Sequence, residues 1–136
     1  SHCQIPCGIY SDAAQIMQIY EDLETIQKAM QKINELSTTF DAQELNQISR
    51  WVHAKEIHSQ NIQDITSEYF LTQRIKQNSE NYTKKITTLH QLLIAVMKCK
   101  QTVDKKNVTN ANSILENFIN LYFDKHGLEH LKNLRG

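Results

Sequence analysis

From Ser11 onward, apolar residues recur at spacings of three and four, and little in the chain can interrupt them: its 136 residues include 3 glycines and 1 proline. Gln, Lys, Glu, Ile and Leu are abundant and favour helix. The pattern therefore predicts an all-α chain. Ser11 stands as an N-cap before Asp12, an acidic residue in the first turn. Ile16, Ile19, Tyr20, Leu23, Ile26, Met30, Ile33 and Leu36 then mark a long amphipathic helix. Ser37-Thr38-Thr39 breaks it, and Phe40 with Asp41 opens a second segment whose stripe is Leu45, Ile48, Val52, Ile62, Ile65 and Tyr69. That stripe has a polar gap at Lys55, Glu56, His58 and Ser59, where hydrogen-bonding groups turned inward must each find a partner.

The polar run Lys76-Gln77-Asn78-Ser79 reads as a turn, with Asn78 or Ser79 capping a third helix built on Tyr82, Ile86, Leu89, Leu93, Val96 and Met97. After Asp104 a fourth segment places Val108, Ala111, Leu115, Phe118 and Tyr122 inward, and Gly127 reads as its stop. Leu128, Leu131 and Leu134 suit a short extra helix on the body or on a neighbouring subunit. Four helices with short connections predict an antiparallel up-down four-helix bundle. The chain reads as one domain over residues 1–136: an irregular N-terminal segment (1–10), the bundle (11–127) and a C-terminal extension (128–136).

The first ten residues, S-H-C-Q-I-P-C-G-I-Y, do not share the helical period. They hold one histidine, two of the three cysteines, the only proline and one glycine. Pro6-Cys7-Gly8 forbids a regular helix between Cys3 and Cys7, so the backbone turns and can bring both sulfurs to one point. Two thiolates and the imidazole of His2 make a ligand set for a soft or borderline metal. The rest of the composition excludes more than it assigns. Formal net charge is +0, which points to neither nucleic acid nor an anionic membrane. No apolar run approaches the ~20 residues that span a bilayer. The N-terminus lacks the layout of a signal peptide, so the expected compartment is the reducing cytoplasm.

His2-Cys3-x-x-Pro6-Cys7-Gly8-x-Tyr10 resembles, at every defined position, the N-terminal hook of nickel-containing superoxide dismutases. Lys55-Glu56, Tyr69-Phe70 and the helical pattern resemble the body of the same family, while the last ten or so residues carry no recognised motif. The resemblance implies an enzyme that converts superoxide to oxygen and hydrogen peroxide with a Ni(II)/Ni(III) couple. It implies that Cys3 and Cys7 supply sulfur ligands, the Cys3 backbone nitrogen an amide ligand, the N-terminal amine of the histidine a fourth planar ligand, and the His2 imidazole an axial one. Thiolate and amide donors suit this assignment because they stabilise the higher oxidation state of nickel. Pro6 would make the turn, Gly8 would give the backbone room, and Tyr10 would stand over the open face, exclude larger anions and also anchor the hook.

The resemblance further implies a homohexamer and a processing peptidase that exposes His2. Here Ser1 precedes His2, whose nitrogen is therefore an amide, and weakened nickel binding or an inactive form is expected while Ser1 remains. Residues that orient the axial imidazole are expected from the first helix, Gln18 or Glu21, and from the second, Arg50 or His58. A histidine on an apolar seam is more often a satisfied core residue, and His58 reads so first. Cys99 reads as a small buried hydrophobe, His53, His90, His126 and His130 as surface or packing residues, and Trp51 as core or subunit interface. Lys98, Lys100, Lys105 and Lys106 read as a solvated face that could also steer superoxide. Two other chemistries use the same residues: a metal-free thiol-disulfide or peroxide-reducing protein, and a helical metal carrier.

Overall fold

The computed structural model describes residues 10–136. His2, Cys3, Pro6, Cys7 and Gly8, on which the hook assignments fall, lie outside them. The described residues form helices and no strand: α1 (Asp12–Leu36), α2 (Ala42–Asp64), which runs directly into a π-helical stretch (Ile65–Arg74), α3 (Tyr82–Gln101), α4 (Lys106–Tyr122) and α5 (Lys125–Arg135). α1 runs antiparallel to α2 and its π-helical continuation, and α2 runs antiparallel to α3, as their cross-links show. Asp12 and Asp22 of α1 meet Arg74 and His58 in that order, and Lys55 and Gln63 of α2 bond the carbonyls of Cys99 and Leu93 on α3. The core is built from Ile16, Ile19, Leu23, Ile26 and Met30 of α1, Ile62 and Phe70, and the inner faces of α3 and α4.

Several expectations shift on contact with this packing. Ser11 is the N-cap of α1 but its hydroxyl makes no capping bond, whereas the Asp41 carboxylate accepts from the Glu44 N–H at 2.8 Å and caps α2. The cap of α3 is neither Asn78 nor Ser79 but Asn81, in the left-handed region at φ 60°. Ser79 is unavailable because its backbone N–H and its hydroxyl both donate to the Lys76 carbonyl, at 3.0 and 2.7 Å. Along α3 the buried face is Leu89, Leu92, Val96 and Cys99, with Leu93 only partly covered and Met97 exposed. The unbroken apolar run from Leu92 to Met97 supports either phase, and contact with α4 selects one. On α2, Leu45 and Val52 are exposed and Trp51 is half-buried, not core.

Gly127 does not end a helix. α4 stops at Tyr122, and Gly127 lies in the first turn of α5, where its N–H donates to the capping Asp124 carboxylate at 2.7 Å. A Cβ there would meet Phe123 Cδ1 at 2.9 Å, so close approach requires the glycine. α5 packs on α1 through buried Leu131, with Leu128 half-buried and Leu134 exposed.

Candidate metal centre and its anchor

The described residues begin at Tyr10, and a compact polar cluster stands beside it. Asp12, in the first turn of α1, accepts from Tyr69 (2.6 Å), from Arg74 through both carboxylate oxygens (3.0 and 3.1 Å) and from Tyr122 (2.9 Å). Three elements thus converge on one carboxylate. The π-helical stretch explains how Tyr69 and Arg74 both arrive. In an α-helix, residues five apart point about 140° away from each other, whereas the wider winding of i→i+5 bonding brings them toward one face. The Ile75 N–H bonds the Phe70 carbonyl at 2.9 Å, and the Thr72 and Gln73 side chains reach back five residues to the Ser67 and Glu68 carbonyls.

Burial pushes the Asp12 carboxyl up, but the hydrogen bonds from Arg74, Tyr69 and Tyr122 and the charge of Arg74 outweigh it and leave the group below its ordinary range. The same pair holds Arg74 above its ordinary value, chiefly through its hydrogen bond to Asp12. Burial, then the Asp12 charge and hydrogen bond, push the Tyr122 hydroxyl up to about 12; burial and Asp12 raise Tyr69 as well. The tyrosines are therefore neutral donors and Asp12 is an anion. Tyr10 completes the cluster: the Arg74 guanidinium lies 4.1 Å from its ring centroid, and its ring meets Tyr69 edge-on at 6.1 Å. From Tyr69 the contacts continue inward through Phe70 to Phe118 and Tyr122.

About 15 Å further along α1, by helical rise, is a second carboxylate. Asp22 is fully buried; its Oδ1 lies 2.7 Å from His58 Nδ1 and accepts from Gln18 at 3.3 Å, while its Oδ2 has no partner. Of the four residues expected around the imidazole of His2, the structure links Gln18 and His58 through Asp22. Glu21 and Arg50 are exposed and apart from that link, Arg50 bonding Gln47 at 3.3 Å. His58 also lines an open groove with Arg50 and His53.

Asp12, Arg74, Tyr122 and Asp22 escaped the sequence reading as site residues. Asp22 left one signal, a carboxylate three residues after Ile19 and four before Ile26, inside the apolar stripe. Lys55 is buried and serves a neighbour, bonding the Cys99 and Lys100 carbonyls at 2.8 and 2.5 Å at the C-terminal end of α3. Burial lowers its ammonium, against the opposing charge of Glu56. Cys99 is fully buried as expected, and burial raises its thiol to about 11. Lys98, Lys105 and Lys106 are exposed, whereas Lys100 is partly covered and donates to Gln60 and Gln63.

The family described as nickel-containing superoxide dismutase matches this chain over residues 1–126. The chain belongs to that family. It is accordingly a nickel superoxide dismutase, an oxidoreductase with nickel as its cofactor. Comparison with curated proteins and with solved structures gives no match. The residue types fit the metal: the first seven residues contain two cysteines and a histidine, which are soft and borderline donors of the kind nickel accepts. Among the described residues no group of three or more His, Cys, Asp and Glu side chains could hold a metal, and no helix is long and apolar enough to cross a membrane. Most of α5 lies beyond the family match.

Proposed function

We propose that His2, Cys3 and Cys7 hold the nickel and that residues 1–10 form the hook, carried on an antiparallel up-down four-helix bundle of residues 11–127 within one domain. The observation behind this reading is the run His2-Cys3-x-x-Pro6-Cys7-Gly8-x-Tyr10 inside a family match that begins at residue 1. Nickel held by these residues would supply the one-electron couple that superoxide disproportionation needs. Two superoxide ions and two protons then give one oxygen and one hydrogen peroxide.

The chain's own residues do the remaining work. Cys3 and Cys7 provide thiolates, and His2 provides imidazole and, once Ser1 is removed, an amine. Tyr10 guards the open face, excludes larger anions and orders water near the entering ion. Gln18, Asp22 and His58 form the hydrogen-bonded link best suited to orient the imidazole of His2, with Glu21 and Arg50 as the alternatives from the same two helices. The thiolates face the peroxide they help to make, so oxidation of Cys3 and Cys7 is the route of damage. The enzyme acts in the cytoplasm as a homohexamer in which neighbouring subunits clamp a hook too small to fix itself.

Nickel(II) titration of the reduced chain, with and without Ser1, tests the ligand assignment. One nickel per chain with thiolate charge-transfer absorbance is expected when His2 is N-terminal, weaker binding with Ser1 attached, and loss of the absorbance in Cys3→Ser and Cys7→Ser. Absorbance that survives both substitutions contradicts it. Dithiol turnover without a nickel signal would instead favour the thiol-disulfide chemistry, and nickel binding without superoxide decay the metal carrier.

A further inference from the structure

We infer that Arg74 is a positioning residue for the dismutase site: clamped by Asp12, its guanidinium is the platform that fixes the Tyr10 ring and with it the direction in which the hook leaves the body. The inference rests on the hook reading above. Three observations carry it. The guanidinium is immobilised before it meets Tyr10, because its Nε and one terminal nitrogen bond the two oxygens of Asp12 at 3.0 and 3.1 Å, a bidentate geometry that fixes the plane as well as the position. The Asp12 carboxylate is itself fixed by the Tyr69 and Tyr122 hydroxyls, from the π-helical stretch and from α4. Tyr10 then rests on the guanidinium at 4.1 Å and against the edge of Tyr69, with no hydrogen bond from its own hydroxyl among the described residues.

The charge balance argues for positioning over attraction. Arg74 and Asp12 neutralise each other at 3.0 Å, so the pair projects little net field toward an incoming anion. What remains is geometric: a cation over an aromatic face, with a strength that depends on alignment. Tyr10 is 44 % exposed, and among the described residues its ring is held by the Arg74 guanidinium and the Tyr69 edge. Arg74→Lys keeps a charge beside Asp12 but removes the flat platform, which separates the two roles.

The test has an arm that needs no nickel. In the metal-free chain with 13C-labelled tyrosine rings, Arg74→Lys and Arg74→Met should both move the Tyr10 ring resonances toward unstructured values while those of Tyr20 stay in place. In the nickel-loaded enzyme, Arg74→Met should lower kcat/KM per bound nickel about tenfold, the scale of a lost cation–aromatic contact plus a displaced group. In a Tyr10→Leu background the same substitution should cost nothing further, because Arg74 acts through Tyr10. Unmoved Tyr10 resonances in Arg74→Lys overturn the inference, as do losses from Arg74→Met and Tyr10→Leu that multiply. If the wild-type enzyme fails to dismute superoxide, the hook reading falls, and the resonance arm still decides whether Arg74 holds Tyr10.

Discussion

Asp12 and Asp22 sit on the same helix, and the packing treats them in opposite ways. Asp12 is partly exposed yet saturated, with both oxygens accepting from Arg74 and one each from Tyr69 and Tyr122. Asp22 is fully buried yet incomplete, with His58 and Gln18 sharing Oδ1 and nothing on Oδ2. Burial alone therefore does not identify the anchor. Saturation marks a carboxylate that fixes structure, and a buried oxygen without a partner marks a place where the body remains open to another donor.

The largest expected effect separates the two directly. Asp12→Ala strands a partly buried guanidinium and two hydroxyls, and should cost about 3–5 kcal/mol in denaturant unfolding. Asp22→Asn keeps an oxygen for His58 and Gln18 and removes an imperfectly compensated charge, so about 1 kcal/mol or less is expected. An Asp22→Asn loss equal to that of Asp12→Ala would remove the distinction. Of intermediate size are Tyr69→Phe and Tyr122→Phe, each deleting one hydrogen bond to a charged acceptor at about 1.5 kcal/mol. A null effect in both would mean that Arg74 alone secures Asp12.

Acid pH sharpens the comparison further. The folded Asp12 carboxyl lies below its unfolded value, so its contribution is complete above the unfolded pKa of about 3.9 and is lost as pH falls through the lower, folded value. The stability gap between wild type and Asp12→Asn should hold at neutral pH and close below about pH 4. A gap that persists unchanged into strong acid would show that the carboxylate charge is not its source. The smallest effect belongs to Glu116, whose partner Arg135 is 48 % exposed. Arg135→Ala should cost only about 0.5 kcal/mol, and a loss approaching that of Asp12→Ala would show that exposure is a poor guide in this molecule.

Much of this was readable from residue order, and what was not has a common cause. The stripe from Ile16 to Ile33 placed α1, the three leucines after Gly127 announced α5, and the hook motif pointed to the family over a segment that lies outside the described residues. The period points to Leu93 where Leu92 is the buried residue, because a continuous apolar run has no preferred phase until a neighbour packs on it. Asp12 looked like an ordinary first-turn acid because its partners lie 57, 62 and 110 residues away. Residues 69 and 74 cannot share a face in an α-helix, and only the π-helical stretch, which local propensity does not signal, brings them together. The anchor is thus a tertiary invention laid over legible helices.

Whether the first ten residues carry the dismutase nickel is tested most directly by following superoxide decay spectroscopically with the nickel-loaded chain whose first residue is His2. The expected result is catalytic decay in proportion to bound nickel, abolished by Cys3→Ser and by Cys7→Ser. Decay no faster than that given by the same nickel concentration in buffer would contradict it.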